Sequence, residues 1–307
     1  MLPASGKQEI YLKTPYLLCS SLEVLIYLIV DTFEKILTGF LLVFHSTSAS
    51  PSTHHWLRAH QLSPHLHSPT MSSTTGSFSA PVQIHTFDGL LSDFDGTIVD
   101  STDAIVKHWH KIGDELGVDP KVILATSHGR RSIDVMGLYD QTKANWSYIN
   151  EIEGRIPKEF GSDAVEIPGG RDLIAALETS GARWGVVTSG TRPLIDGWLE
   201  VLGLPHPKNL VTAMDVPLGK PDPRCYLLGR KQLGIEESTS IVVLEDAPSG
   251  IKAGKAAGFK VIALTTTHPL RKLQEAGADW IVEDLRSISV KAVVDGQVQI
   301  EIKNAYQ

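Results

Sequence analysis

The fold of this chain turns on LLSDFDGTIVD, residues 90–100. Leu90 and Leu91 form a short apolar run that gives way to Gly96, which reads as a buried strand closed by a turn. Asp93 and Asp95 then emerge at the carboxyl end of that strand, where open α/β sheets place their ligands. Two carboxylates so close repel each other unless a cation lies between them or one takes a proton. Either outcome is chemically useful, because one can attack as a nucleophile while the other gives and takes a proton. A solvated loop carrying two acids is the plain alternative, and three later segments weigh against it.

Outward from this stretch the pattern becomes regular. Ile105, Trp109, Ile112 and Leu116 recur at helical spacing, with Ser101 as the expected cap and Gly117 as the stop. Polar, helix-like sequence runs on to about Phe160. Then strands and helices alternate: helix 170–180, strand 183–188, helix 193–202, strand 209–213, helix 222–234, strand 240–245, helix 248–257, strand 259–264, helix 269–276 and strand 279–282. This succession predicts an α/β fold, a Rossmann-like parallel sheet with helices on both faces. The helical stretch after the first strand is too long for a simple crossover. It reads as an inserted helical cap over 101–167, with 86–100 and 168–300 forming the core.

Three more strand ends carry candidate chemistry. Thr188-Ser189-Gly190 offers a small hydroxyl and a glycine at a strand-to-helix turn, where backbone N–H groups can hold a phosphoryl oxygen. Gly219-Lys220-Pro221-Asp222-Pro223 holds one ammonium in a stiff loop. Ile241 to Leu244 is an apolar strand that ends in Glu245 and Asp246, and adjacent acids at a buried sheet edge are costly unless paired or metal-bound. The combined donors are oxygens, which suits magnesium better than a nitrogen- or sulfur-loving ion. In the helical insert, Ser127-His128-Gly129-Arg130-Arg131-Ser132 sets two arginines beside a turn glycine, and they are expected either to reach substrate or to be solvated surface charges.

These segments, in this order, resemble the haloacid dehalogenase superfamily of aspartate-nucleophile phosphatases over about residues 86–289. SHGRRSID, IEGRIPKEFG, VEIPGG, GVVTSGTR, GKPDP, EDAPSGIKAGKAAG and TTTH carry a narrower similarity to fungal glycerol-phosphate and 2-deoxyglucose-6-phosphate phosphatases. The resemblance implies Asp93 as nucleophile, Asp95 as general acid and base, and Lys220 as the cation that neutralises phosphate and orients Asp93. It implies Ser189 and Gly190 at the phosphate, Arg131 at the substrate, and magnesium held by Asp93, Asp95 through its carbonyl, and Asp246, with Glu245 in or near that shell. The implied reaction is hydrolysis of a small polyol or sugar monophosphate. A sugar phosphomutase of the β-phosphoglucomutase type and a non-catalytic scaffold remain the alternatives. Glu153 and Gly154 belong to the similar segments, but no chemistry follows from them.

The bulk properties bound the rest. The 307 residues carry a formal net charge of −7, which gives no general attraction to nucleic acid. Two cysteines cannot build a disulfide framework, so a cytoplasmic, reducing setting is expected. Residues 1–80 read as a poorly structured extension, with an apolar stretch at 16–44 and a Ser/Pro/His-rich linker at 46–79. Glu23, Asp31, Glu34 and Lys35 interrupt the apolar stretch, so neither a spanning helix nor a secretory signal fits it well. A start at Met71 is the expectation, and a membrane anchor through 16–44 is the rival. The sequence gives no oligomeric state.

Overall fold

The computed structural model describes residues 76–237 and 240–307. The expectations for the apolar stretch and for the Met71 start lie outside these residues. Six parallel strands form the main sheet in the order β6-β5-β2-β7-β8-β9. They are β2 (Gly89–Ser92), β5 (Trp184–Val187), β6 (Leu210–Val211), β7 (Ile241–Glu245), β8 (Lys260–Leu264) and β9 (Trp280–Val282). The predicted α/β core is therefore present, with β2 at its centre between β5 and β7.

Side chains alternate across each strand and divide the interior in two. Leu90, Val242, Leu244, Ile262 and Leu264 face one layer, while Leu91, Ile241, Val243, Val261 and Ala263 face the other. Helices α5 (Gly170–Ser180) and α6 (Arg192–Leu202) close the first layer through Leu173, Leu177, Ile195 and Trp198. Helices α7 (Arg224–Gln232), α8 (Pro248–Ala256) and α9 (Leu270–Ala276) close the second through Tyr226, Ile251 and Leu273. Burying both faces is what makes these strands continuous apolar runs rather than alternating ones.

Between β2 and α5 lie four helices: α1 (Thr102–Leu116), α2 (Pro120–Ser127), α3 (Ser132–Tyr139) and α4 (Trp146–Phe160). Trp109, Ile112, Ile123, Val135, Met136, Ile149 and Ile152 give them an apolar core of their own. The insert is pinched at its neck by β3 (Val99–Asp100) and β4 (Val165–Glu166), which pair antiparallel.

Two features depart from the expectations. Residues 76–80, assigned to the extension and its linker, pair with the carboxyl end of the chain: Ser77 and Gln307 exchange backbone hydrogen bonds, and Ala80 N–H donates to the Ala305 carbonyl. A second, antiparallel sheet in the order β1-β11-β10 was also not foreseen. It joins β1 (Gln83–Phe87) to a terminal hairpin of β10 (Ile288–Val294) and β11 (Gln297–Ile302), whose Val298, Ile300 and Ile302 thicken the first core layer. Its strands are half-exposed and mixed in polarity, a pattern that reads as loop when taken alone.

Candidate functional site

Asp93, Asp95, Ser189, Gly190 and Asp246 line one cavity of about 100 Å³ between the strand ends and the helical insert. Lys220 and Glu245 sit just beneath its floor. Parallel pairing brings them together, because β2, β5 and β7 are neighbours and all end on the same edge. Asp93 N–H donates to the Leu244 carbonyl, which fixes the end of β2 against the end of β7.

Lys220 is the hub of the floor. Its ammonium, almost wholly buried, donates to Asp93 Oδ1 at 2.5 Å, to Glu245 Oε1 at 2.6 Å and to the Val187 carbonyl at 3.1 Å. Burial works against that charge, but Asp93 and Glu245 outweigh it and hold the Lys220 pKa above its ordinary value. Glu245 has little capacity to spare. Its Oε1 also accepts from the Tyr226 hydroxyl, and its Oε2 accepts from the backbone N–H groups of Asp246 and Ala247. Gly250 makes this packing feasible, since a Cβ there would lie 1.6 Å from Glu245 Oε1.

Asp246 faces the cavity with two hydroxyl donors, Thr97 on Oδ1 at 3.1 Å and Thr267 on Oδ2. Gly96, at φ +86°, passes so close that a Cβ would meet Asp246 Oδ2, which explains the glycine of DFDGT twice over. Burial, then the charge of Glu245, pushes the Asp246 carboxyl up to about 7. Asp93 is raised well above the usual carboxylate range, first by burial and further by Glu245 and Asp246, with Lys220 opposing.

Asp95 is held differently. Ser101 occupies the expected cap position of α1, yet its hydroxyl caps no helix N–H and instead donates to Asp95 Oδ1 at 2.7 Å. Asp100 takes over the capping, accepting from Thr102 N–H. Loss of bulk water raises the Asp95 carboxyl to about 6, against the lowering effect of Ser101. A carboxyl titrating there can carry a proton in near-neutral water and still release it.

The remaining expected residues divide. Ser189 lines the cavity, and its hydroxyl donates to the Gly129 carbonyl of the helical insert at 3.0 Å. Gly190 lines it too, but its N–H is taken by the Thr188 hydroxyl at 2.9 Å. Arg131 is not among the cavity-lining residues. Its guanidinium is buried against the carbonyls of Ala213, Val216 and Pro217 and the carboxylate of Asp134, while Arg130, exposed, lines the cavity in its place. The sequence shows two neighbouring arginines and no signal that tells them apart; the backbone turn at Gly129 decides which side chain faces where.

The acids fit a cation. Carboxylate oxygens of Asp93, Glu245 and Asp246 approach within 4.8 Å of one another, all three residues being buried. Among the described residues forming the floor, one ammonium faces the four carboxylates of Asp93, Asp95, Glu245 and Asp246. Like charges at this spacing are stabilised only by protons or a counter-cation. With Glu245 saturated by four donors, Asp93 and Asp246 are the carboxylates with capacity left for an oxygen-preferring ion.

The chain is similar to several known proteins. Glycerol-1-phosphate phosphohydrolase 2 of Saccharomyces cerevisiae is 43% identical over 208 residues, covering 65% of this chain and 83% of that protein. 2-Deoxyglucose-6-phosphate phosphatase 1 of the same yeast is 34% identical over 237 residues, covering 71% and 96%. Hexitol phosphatase A of Escherichia coli is 34% identical over 219 residues, covering 69% and 98%. A hydrolase from Pseudomonas syringae has the same fold, with a TM-score of 0.57 at 23% identity, over 64% of this chain and 94% of that one. The sequence pattern of one family spans residues 90–264, from the strand that presents Asp93 to the end of β8. By that match, and by the yeast and bacterial relatives, this chain belongs to the haloacid dehalogenase-like hydrolases.

Proposed function

We propose that this protein is a magnesium-dependent phosphatase of small polyol or sugar monophosphates, working through an aspartyl-phosphate on Asp93. The observation that carries this reading is the pairing of two unlike aspartates in one cavity. Asp93 is clamped by the Lys220 ammonium, while Asp95, two residues on, takes its close hydrogen bond from the Ser101 hydroxyl and is raised by burial to about 6. An ammonium partner favours the ionised form at Asp93, which suits a nucleophile, and a hydroxyl partner leaves Asp95 able to hold and release a proton. The activities for which the yeast and bacterial relatives are named agree with a phosphomonoester substrate whose alcohol is a polyol or a sugar.

The reaction has two halves. An Asp93 carboxylate oxygen attacks phosphorus, the bond from phosphorus to the substrate's ester oxygen breaks, and Asp95 gives its proton to the departing alkoxide. Water then attacks the phosphorus of the aspartyl-phosphate, Asp95 takes its proton, and Asp93 leaves as a carboxylate with inorganic phosphate. Lys220 faces the phosphoryl oxygens and holds Asp93 in line, and Ser189 offers its hydroxyl once it turns from the Gly129 carbonyl. Magnesium, held by Asp93 and Asp246 with the Asp95 carbonyl, would supply fixed positive charge against the transferring phosphoryl group. Proton transfer of this kind contributes roughly 10² to 10⁴ in rate.

Residues 101–167 serve as the cap. Its contacts with the core ring the cavity: Gly129 accepts from Ser189 and Ser249, Glu153 accepts from Thr191 N–H at 2.7 Å, and Arg131 grips the loop that leads to Lys220. Closure of this kind keeps bulk water from the aspartyl-phosphate except for the one molecule consumed. The test is phosphate release by the full chain with magnesium over glycerol phosphates, deoxysugar phosphates and hexose phosphates. Magnesium-dependent release from one class is expected. Transfer of phosphate within a sugar, without release, would replace the phosphatase by a mutase, and silence from a folded protein would overturn both.

A further inference from the structure

The cap wall of the cavity carries polar groups that the chemistry at the strand ends does not use. Glu153, on α4, is a carboxylate 3% exposed among the apolar residues Ile149, Ile152 and Ile156 of the same helix. It lines the cavity and forms no ion pair with any described residue. It accepts from the Thr191 N–H, with the Ser132 and Thr191 hydroxyls also beside it, which still leaves a carboxylate with acceptor capacity to spare. Ser127, at the end of α2, is 6% exposed and lines the same cavity, yet its Oγ has no partner among the described residues. His108, on α1 and also at the cavity wall, is 5% exposed with its Nε2 likewise unpartnered.

Buried polar atoms left unsatisfied are destabilising and rare in folded proteins. Two such atoms at one wall, Ser127 Oγ and His108 Nε2, beside a carboxylate with acceptor capacity left over, have a common explanation in a ligand that completes them. All three residues sit on helices of the insert and line the same cavity as Asp93, so they are placed to meet the alcohol half of a phosphomonoester whose phosphorus is at Asp93. We infer that Glu153, Ser127 and His108 form a hydroxyl-reading subsite that selects substrates whose leaving group carries further hydroxyls. This inference rests on the phosphatase reading above and deepens it by naming what the cap recognises. A carboxylate accepts from two neighbouring hydroxyls at once, while the serine and histidine each add one donor or acceptor. Ile105, Trp109 and Ile156 fill the wall between them and seat the carbon chain.

A site built to hydrogen-bond a hydroxyl rejects an analogue that lacks it far more strongly than an apolar pocket rejects an extra one. The experiment therefore compares glycerol 1-phosphate with n-propyl phosphate, which has the same carbon chain and no hydroxyls, using the full chain with magnesium. Glu153→Gln keeps an oxygen for the Thr191 N–H and so keeps that cap–core contact, but it removes the charged acceptor. We expect kcat/KM for glycerol 1-phosphate to fall about tenfold to a hundredfold in Glu153→Gln, with n-propyl phosphate changed less than about twofold. Ser127→Ala, which touches no cap–core hydrogen bond, gives a smaller loss with the same selectivity. Equal loss on both substrates would make Glu153 a structural latch and overturn the inference, as would no loss on either. A parent enzyme that hydrolyses both esters equally well would overturn the subsite and leave the phosphatase standing. A parent enzyme that hydrolyses neither these esters nor the wider panel would instead sink the phosphatase reading itself.

Discussion

The floor and the wall of the cavity are built on opposite principles. Beneath Asp93, every polar side-chain atom of Glu245 and Lys220 is tied to a neighbour, through the ends of paired parallel strands and through Tyr226 of α7. On the insert side of the cavity, Ser127 and His108 keep buried atoms with no partner among the described residues, on helices with a small core of their own. A reaction common to many substrates needs a floor that does not move, because misplacing a reacting group by about 1 Å can cost a hundredfold in rate. A preference among substrates needs groups left free for the substrate to complete. On the proposed reading, one set of strand ends serves many alcohols and the inserted helices choose among them.

Substitutions can break this division. The largest effect is expected at the floor, where Asp93→Asn removes the attacking carboxylate and lowers kcat by about 10⁴-fold or more on every substrate. Measurable turnover near the parent rate would end the proposed mechanism. Gly250→Ala reaches the floor indirectly, because its Cβ lands on Glu245 and displaces the partner of Lys220. We expect about a hundredfold loss in kcat on both hydroxylated and plain esters, with KM little changed. A loss confined to one substrate class would show that floor and wall are not separate.

Arg131→Ala tests the hinge between the two. It strips two buried carbonyls and one half-buried one of their donor, and about 1–3 kcal/mol of stability should go with it. Thermal unfolding should report the loss, and a rise in KM should accompany it as the cap loosens. Lysine at this position should recover little, since one ammonium cannot match the planar fork that spans the carbonyls. Unchanged unfolding in both variants would show that the clamp contributes nothing.

The smallest effect belongs to the wall and to pH. Burial lowers the His108 imidazole to about 4, with Glu159 opposing and Lys111 and Arg155 adding to the shift. The unfolded chain takes up its proton near 6.5 while the folded chain refuses it until about 4. Stability is therefore lost as pH falls from about 6.5 towards 4, by at most about 3 kcal/mol from this group. His108→Gln should flatten that part of the stability profile relative to the parent. An identical slope in the variant would place the proton elsewhere, with His128 and His268 as the next groups to examine, since both are also lowered by burial.

Much of this was legible from residue order. Strand and helix alternation follows from local periodicity, and the positions of Asp93, Asp95 and Asp246 follow from their places at strand ends, whereas Lys220 sits in the loop between β6 and α7. Ser101 marks where such reading stops: it looks like a helix cap and holds Asp95 instead, because the chain folds back between Asp95 and Val99 and brings the hydroxyl within reach. Arg130 and Arg131 show the same limit, as do Tyr226 and Thr267, which join the site across many residues with nothing nearby in sequence to announce them. The terminal hairpin was missed for a related reason, since its register is set by pairing with β1 some 200 residues away rather than by its own pattern.

Local spacing thus sufficed for the elements, the family and the acids at the strand ends, because these depend on neighbours a few residues apart. Which acid is saturated, which is left for a cation, which arginine faces the cavity and which wall groups stay unpartnered were settled only by packing. Those properties depend on hydrogen bonds between residues 20 to 150 apart, such as Thr97 to Asp246 and Lys220 to Asp93, and a linear pattern carries no record of such distances.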